Sequence, residues 1–222
     1  GGGGGRAGLG ALRQYRRRDA WRLVWREVNG CDSVGDTLAG SGALAESCLA
    51  AALQCAEREF AGRHGVARSD DGIPQRIVVL ALGKLGGGEL NVSSDIDLVF
   101  VYPEEGSTSG PKTLANQDFF DRLGRRVIAA LAEPSPEGSV FRTALRLRPY
   151  GDTGPLTYSF AALEQYLVAQ GRTWERYAWL KARALTGTRG DELEQLVAPF
   201  VYRKYLDYDA YDGLRDVHHQ IR

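Results

Sequence analysis

Two aspartates separated by a single residue, Asp95 and Asp97, open the run DIDLVFVY. On a β-strand, residues two apart point to the same side, so this spacing presents both carboxylates together while Ile96, Leu98 and Phe100 face a core. Two like charges held that close require a cation. Oxygen ligands of this kind suit Mg2+ or Mn2+, and a pair of such ions can hold the entering and leaving oxygens of a phosphoryl or nucleotidyl transfer. A D-x-D pair also arises on exposed strands and in turns, so alone it decides little. Upstream, Gly83 begins GKLGGGEL, where missing side chains let backbone N–H groups approach a phosphate closely. The bland reading of that stretch is a flexible turn. It is not an ordinary P-loop, because its glycines follow the lysine and no Gly-Lys-Ser/Thr closes it.

These groups have to be positioned by strands. Residues 77–82 form a short continuous apolar run stopped by glycine, which suits a strand buried on both faces, and residues 94–102 form a second β-rich run. A helix is expected over 116–132, with Phe119, Phe120, Leu123, Val127 and Leu131 along one side, and a third strand over 139–148. In that strand Phe141, Leu145 and Leu147 fall on one face and Arg142, Ala144, Arg146 and Arg148 on the other. Amphipathic helices are expected over 12–28 and 42–61, loops over 62–74 and 103–111, and helices over 160–170, 173–186, 191–197 and from 200 onward. The order is helices, then a small sheet with an inserted helix, then helices: an α+β chain. It divides into a flexible glycine-rich tail at 1–10, a helical segment at 11–75, an α/β core at 76–158 and a helical segment at 159–222.

The chain has 222 residues, 43% hydrophobic and 25% charged, enough for one substantial core. Its formal net charge is zero, so no global field holds a nucleic acid or an anionic membrane, and any phosphate must be met locally. Arg16, Arg17 and Arg18 are interspersed with acids further along their helix and read as a solvated face. The three cysteines form no C-x-x-C pair, which fits a reducing cytoplasm and neither a disulfide framework nor a zinc ribbon. No signal peptide or membrane-spanning run is expected. Methionine is absent throughout, as expected of a piece of a longer chain.

Strand, Gly-Lys turn, then S-D-x-D at the head of the next strand resembles the signature of polymerase-β-like nucleotidyltransferases, in which a Gly-Ser pair precedes the D-x-D. Here Lys84 stands where that serine usually does. The run GKLGGGELNVSSDIDLVFVYPEEG, with LRLRPYGDTGPL, GRTWERYAWLKARAL and PFVYRKYLDY, is more closely similar to the glutamine synthetase adenylyltransferase family. The likeness extends over nearly the whole chain. It implies a polymerase-β-like core, a small mixed sheet flanked by N- and C-terminal helices, Mg2+ (or Mn2+), glutamine synthetase as protein partner and the PII signal protein as regulator.

That family carries two related halves, one attaching AMP to a tyrosine of glutamine synthetase and one removing it with phosphate to give ADP. The wording ELNVSSDIDLVF, AALEQYLVAQGRTWERYAW and PFVYRKYLDY looks like the removing half. The resemblance also implies an aspartate where this chain has Ala144, supplying the third acid of a metal triad beside Asp95 and Asp97. Its absence points to a weakened or inactive form. By the same resemblance and by charge, Gly83, Lys84 and Ser94 would line nucleotide phosphates, with Arg146 and Arg148 offering bidentate contacts to phosphate or serving as structural ion pairs. His218 and His219 read as surface residues without a role. The competing readings are ATP-dependent adenylylation of glutamine synthetase and a non-catalytic nucleotide-binding or docking module.

Overall fold

The computed structural model describes residues 3–134 and 138–202. Helix α1 (Gly3–Val28) packs on α2 (Val34–His64), and α2 in turn packs on α4 (Asn116–Ala132). Helix α2 starts eight residues before the expected 42. Ser33 and Asp36 form a reciprocal cap there, Asp36 N–H donating to Ser33 Oγ at 3.2 Å and Ser33 N–H to Asp36 Oδ2 at 2.9 Å. Gly40 lies where a Cβ would come 2.5 Å from Leu23, so the glycine that weakens helix propensity is what lets α1 and α2 approach. Helix α1 reaches back to Gly3, through the stretch expected to be a flexible tail, since propagation from a packed helix adds one hydrogen bond for each residue fixed.

A two-stranded ribbon, β1 (Ala67–Ser69) against β4 (Gly106–Thr108), stands where loops were expected. The main sheet is built on β2 (Val78–Leu82) and β3 (Ile96–Tyr102), joined through the single helical turn α3 (Gly83–Gly86). Two short strands, β5 (Thr143–Ala144) and β6 (Thr157–Ser159), share the far edge of β3, both parallel to it. After β6 come α5 (Phe160–Ala169), α6 (Thr173–Trp179), β7 (Arg183–Ala184) and α7 (Gly190–Val201), with β7 pairing antiparallel to β2. The architecture is the α+β nucleotidyltransferase type, with the mixed sheet order β5-β3-β2-β7.

Strand alternation separates two cores. Val79, Ala81, Ile96, Leu98, Phe100 and Tyr102 face α1, α2 and α4, while Val78, Leu80, Leu82, Val99 and Val101 face α5, α6 and α7. Every residue of β2 is buried, as its continuous apolar run requires. Helix α2, 31 residues long and apolar, is lengthy enough to cross a bilayer, yet it lays Leu44, Ala45, Cys48, Leu49, Ala52 and Leu53 into the first core.

Two expectations about the second half need correction. The strand expected over 139–148 is confined to Thr143–Ala144, because the chain turns immediately afterwards, with Arg148 N–H donating to the Leu145 carbonyl at 3.2 Å. Leu145 and Leu147 accordingly pack on opposite cores and do not share a face. The helix expected over 173–186 ends at Trp179, and Arg183–Ala184 become an edge strand. Tertiary pairing outweighs the helix propensity of LKARAL: Leu185 N–H donates to the Val79 carbonyl at 2.8 Å, and Arg183 is held by Glu46 at 2.7 Å. His218, His219 and the helix expected beyond Tyr202 lie outside the described residues.

Candidate functional site

Asp97 is the first polar residue on the face of β3 that carries Val99 and Val101, and it pairs in register with Leu82, the last residue of β2. The chain then enters Gly83, whose φ of 56° lies in the left-handed region. A Cβ at Gly83 would stand 2.5 Å from Asp97 Oδ2. Glycine is therefore required twice over, by the backbone conformation and by the carboxylate that rests against it. Asp95 sits just ahead of the strand, and its carboxylate raises the pKa of Asp97. Burial is the larger cause of that rise, and the nearby Arg146 opposes it.

Half-buried Asp97 meets neither a hydrogen bond nor an ion pair from the described residues. Asp95 is paired with Arg142 Nε at 2.6 Å, but both side chains are substantially exposed, at 44% and 73%, so the pair is weak enough to yield to a divalent cation. Arg142 also donates to the Ser93 carbonyl at 3.3 Å. This arginine was legible as a polar neighbour of Ala144, but nothing in its spacing identified Asp95 as its partner.

On the parallel side of β3, Asp97 pairs in register with Ala144. Neighbouring strands lie about 4.8 Å apart, and residues in register turn their Cβ atoms to the same face. Position 144 is thus where a third carboxylate would join Asp97. Among the described residues no group of three His, Cys, Asp or Glu side chains comes together to hold a metal. Mg2+ is commonly bound by one or two carboxylates, with waters and substrate phosphates filling the other positions. The unpartnered Asp97 and the loosely paired Asp95 fit that donor set; they do not supply the three-acid site that the resemblance implies.

The remaining candidate residues divide into two groups. Lys84 Nζ donates to Ser94 Oγ at 3.3 Å, and Ser94 Oγ also contacts Asn91 Oδ1, so the Gly-Lys turn and the loop preceding Asp95 are tied together. The Asn91–Ser94 turn, closed by Ser94 N–H to the Asn91 carbonyl at 3.1 Å, was not singled out in the sequence. Behind the turn, Arg183 donates to the carbonyls of Leu85 at 3.2 Å and Gly86 at 3.4 Å, and Lys181 pairs with Glu89 at 2.7 Å. Arg146 and Arg148 stand on the turns after β5. Arg148 Nε donates to the Gly151 carbonyl at 2.6 Å and its guanidinium lies 3.8 Å from Asp152, so it is committed in part to its own loop.

An acid pair at the head of a strand, packed against a glycine turn from the neighbouring strand, is chemically able to hold a cation and a phosphate together. Residues 6–197 match the family described as glutamate–ammonia ligase adenylyltransferase. The chain belongs to that family. It is 52% identical over 208 residues to a bifunctional glutamine synthetase adenylyltransferase/adenylyl-removing enzyme of Stenotrophomonas maltophilia, covering 93% of this chain and 22% of that protein. Proteins of the same description from Chromobacterium violaceum and Aromatoleum aromaticum are 50% and 47% identical, each over 96% of this chain and over 24% and 23% of their own lengths. The chain thus spans about a quarter or less of the relatives it matches.

Proposed function

We propose that this chain is the nucleotidyltransferase core that removes AMP from adenylyl-tyrosine of glutamine synthetase by phosphorolysis, and that Ala144 leaves it weakened or inactive. The observation that carries the reading is Asp97: a half-buried carboxylate without a partner among the described residues, lying against Gly83 and in register with Ala144. The removing direction rests on the wording of ELNVSSDIDLVF and GRTWERYAW, which resembles the deadenylylating half of the family.

In this reading an oxygen of hydrogen phosphate forms a bond to the AMP phosphorus as the bond from phosphorus to the tyrosyl oxygen breaks. The phosphate proton passes to the tyrosyl oxygen, and ADP and the free tyrosine result. Asp95 and Asp97 would hold Mg2+ (or Mn2+), which when bound neutralises charge on the phosphate oxygens. Gly83 leaves room for the carboxylate, Lys84 and Ser94 meet the nucleotide phosphate, and Arg146 stands between the acids and the entering phosphate. The nucleophile is already ionised, so little general-base assistance is needed. Regulation by the PII protein and a cytoplasmic setting belong to the same proposal, by resemblance.

Ala144 specifically favours one second reading, a module that binds nucleotide or docks without catalysis. Incubation with adenylylated glutamine synthetase, Mg2+ and phosphate, beside the A144D variant, separates the two. ADP from the variant alone supports a deadenylylase disabled at its third carboxylate. Pyrophosphate released with ATP as donor would indicate the adenylylating direction, and silence from both proteins would favour binding only.

A further inference from the structure

Beyond the acid pair, the turns after β5 and the segment joining α5 to α6 enclose a cleft of about 320 Å3. Three arginines, Arg146, Arg148 and Arg172, line it. The one acid in its lining, Glu175, is only 3% exposed, and both of its oxygens are occupied, one by the Tyr166 hydroxyl and the other by the Arg172 backbone N–H at 2.8 Å. Among the described residues neither Arg146 nor Arg172 forms a salt bridge, and Arg146 acts on the Asp97 carboxylate only at longer range. The lining therefore carries three positive charges against one negative, a surplus that the 80% exposed Asp152, 3.8 Å from Arg148 and outside the lining, offsets in part, on a chain whose formal net charge is zero.

The wall of the cleft is held in a strained form. Tyr150 has φ 58° and is the one non-glycine residue with positive φ among the described residues. Its neighbours over-determine that conformation. The Tyr158 hydroxyl donates to the Pro149 carbonyl at 2.6 Å, Arg148 fixes the Gly151 carbonyl, and a Cβ on Gly154 would strike the Tyr158 hydroxyl. Strain persisting under such constraint is typical of ligand clamps. The Tyr150 ring stands edge-on to Tyr166 at 4.6 Å and, with Trp174, lines the cleft beside the arginines. Arg146 belongs to both places: it lines the cleft and acts electrostatically on Asp97.

We infer that this cleft binds a phosphate dianion, its positive surplus complementing the anionic ligand and its planar guanidinium forks matching the phosphate oxygens. Resting on the phosphorolytic reading proposed above, the cleft seats the attacking orthophosphate, with Arg146 turning it toward the AMP phosphorus held at Asp95 and Asp97. Arg172 then contributes to phosphate binding although it lies 77 residues beyond Asp95 in sequence.

The test is calorimetric titration of the metal-free protein with sodium phosphate, with chloride matching the ionic strength and AMP and ADP as separate arms. Saturable phosphate binding that R172Q weakens by about tenfold or more is expected, as for loss of a charge-assisted contact. R172K should fall between, keeping the charge but losing the fork. Arg172 is exposed, so both variants should fold, and circular dichroism checks this. Phosphate binding indifferent to R172Q, or binding of AMP or ADP with none of phosphate, would overturn the assignment. Arg172-dependent phosphate binding without ADP release from adenylylated glutamine synthetase by the A144D protein would retain the cleft while removing the phosphorolytic reading.

Discussion

Replacing Ala144 by aspartate should make the protein less stable without divalent cations and more responsive to them. Position 144 pairs in register with Asp97 across a parallel strand pair, so the new carboxylate comes to roughly 5 Å from the existing one. Two unit charges at that separation repel by about 3 kcal/mol at an effective dielectric near 20, and by roughly half that where water screens them more. Asp97 is half-buried, which places the loss between those limits, at about 1.5–3 kcal/mol. In a chain of this size each kcal/mol moves Tm by about 2–4 °C, so A144D in chelator should melt roughly 3–12 °C below the parent. Millimolar Mg2+ should then narrow or reverse the gap, because a third carboxylate should tighten binding by about 10 to 100-fold, worth about 1.4–2.7 kcal/mol at saturation. Thermal melts with and without Mg2+ measure both effects, and the deficit in chelator should shrink as pH falls into the carboxylate range near ~4. Equal melting in chelator together with an equal Mg2+ response would show that residue 144 does not face the acid pair.

The same electrostatics predict that D97N stabilises the metal-free protein while ending its response to Mg2+. Folding raises the pKa of Asp97, so its favourable contribution is complete below the unfolded value near ~3.9 and is lost as pH rises through the folded value. The gain in Tm should therefore be present at pH 7 and absent near pH 4. For G83A, a Cβ 2.5 Å from Asp97 Oδ2 and a side chain at φ 56° should together cost about 1–3 kcal/mol in a urea melt and weaken Mg2+ binding. For R183A, loss of partly exposed contacts to Glu46, Leu85 and Gly86 should lower stability by only about 1 kcal/mol, while amide exchange at residues 83–88 rises clearly above that of β2.

The parts of the fold that were legible in the sequence are those in which local pattern and tertiary demand agree. The apolar run of β2 reads as a strand buried on both faces because both cores need it, and α4 reads as a helix because its stripe of Phe119, Phe120, Leu123 and Val127 meets one core. The misread elements are short and held by distant partners. Two-residue strands such as β5 and β7 carry no periodicity of their own, and β7 exists because β2 offers an edge and Arg183 is anchored to Glu46 and the glycine turn. Ser33 and Asp36 were a visible start signal for α2, but Gly35 and Gly40 obscured it, and only the approach of Leu23 explains the second glycine.

The candidate site divides along the same line. Asp95 and Asp97 are brought together by their spacing and Gly83 by the antiparallel pairing of β2 with β3, two strands legible in the sequence, and the register of β3 with β5 places Ala144 beside Asp97. The basic cleft could not be found that way, since Arg172 and Trp174 reach Arg146 only after β6 has joined the edge of β3 and α5 has turned the chain back. The two regions have opposite electrostatic needs. Asp97 is an anion lacking a described partner, and the cleft is a surplus of cation, yet among the described residues only Arg146 connects them, and it moderates without cancelling the raised pKa of Asp97. Had the fold been optimised for stability alone, a second arginine turned toward Asp97 would have neutralised it. Leaving both imbalances in place is consistent with ligands of complementary charge, a divalent cation on one side and a phosphate on the other. An alanine at position 144 lessens the first imbalance, and so favours the stability of the empty protein over its hold on the cation.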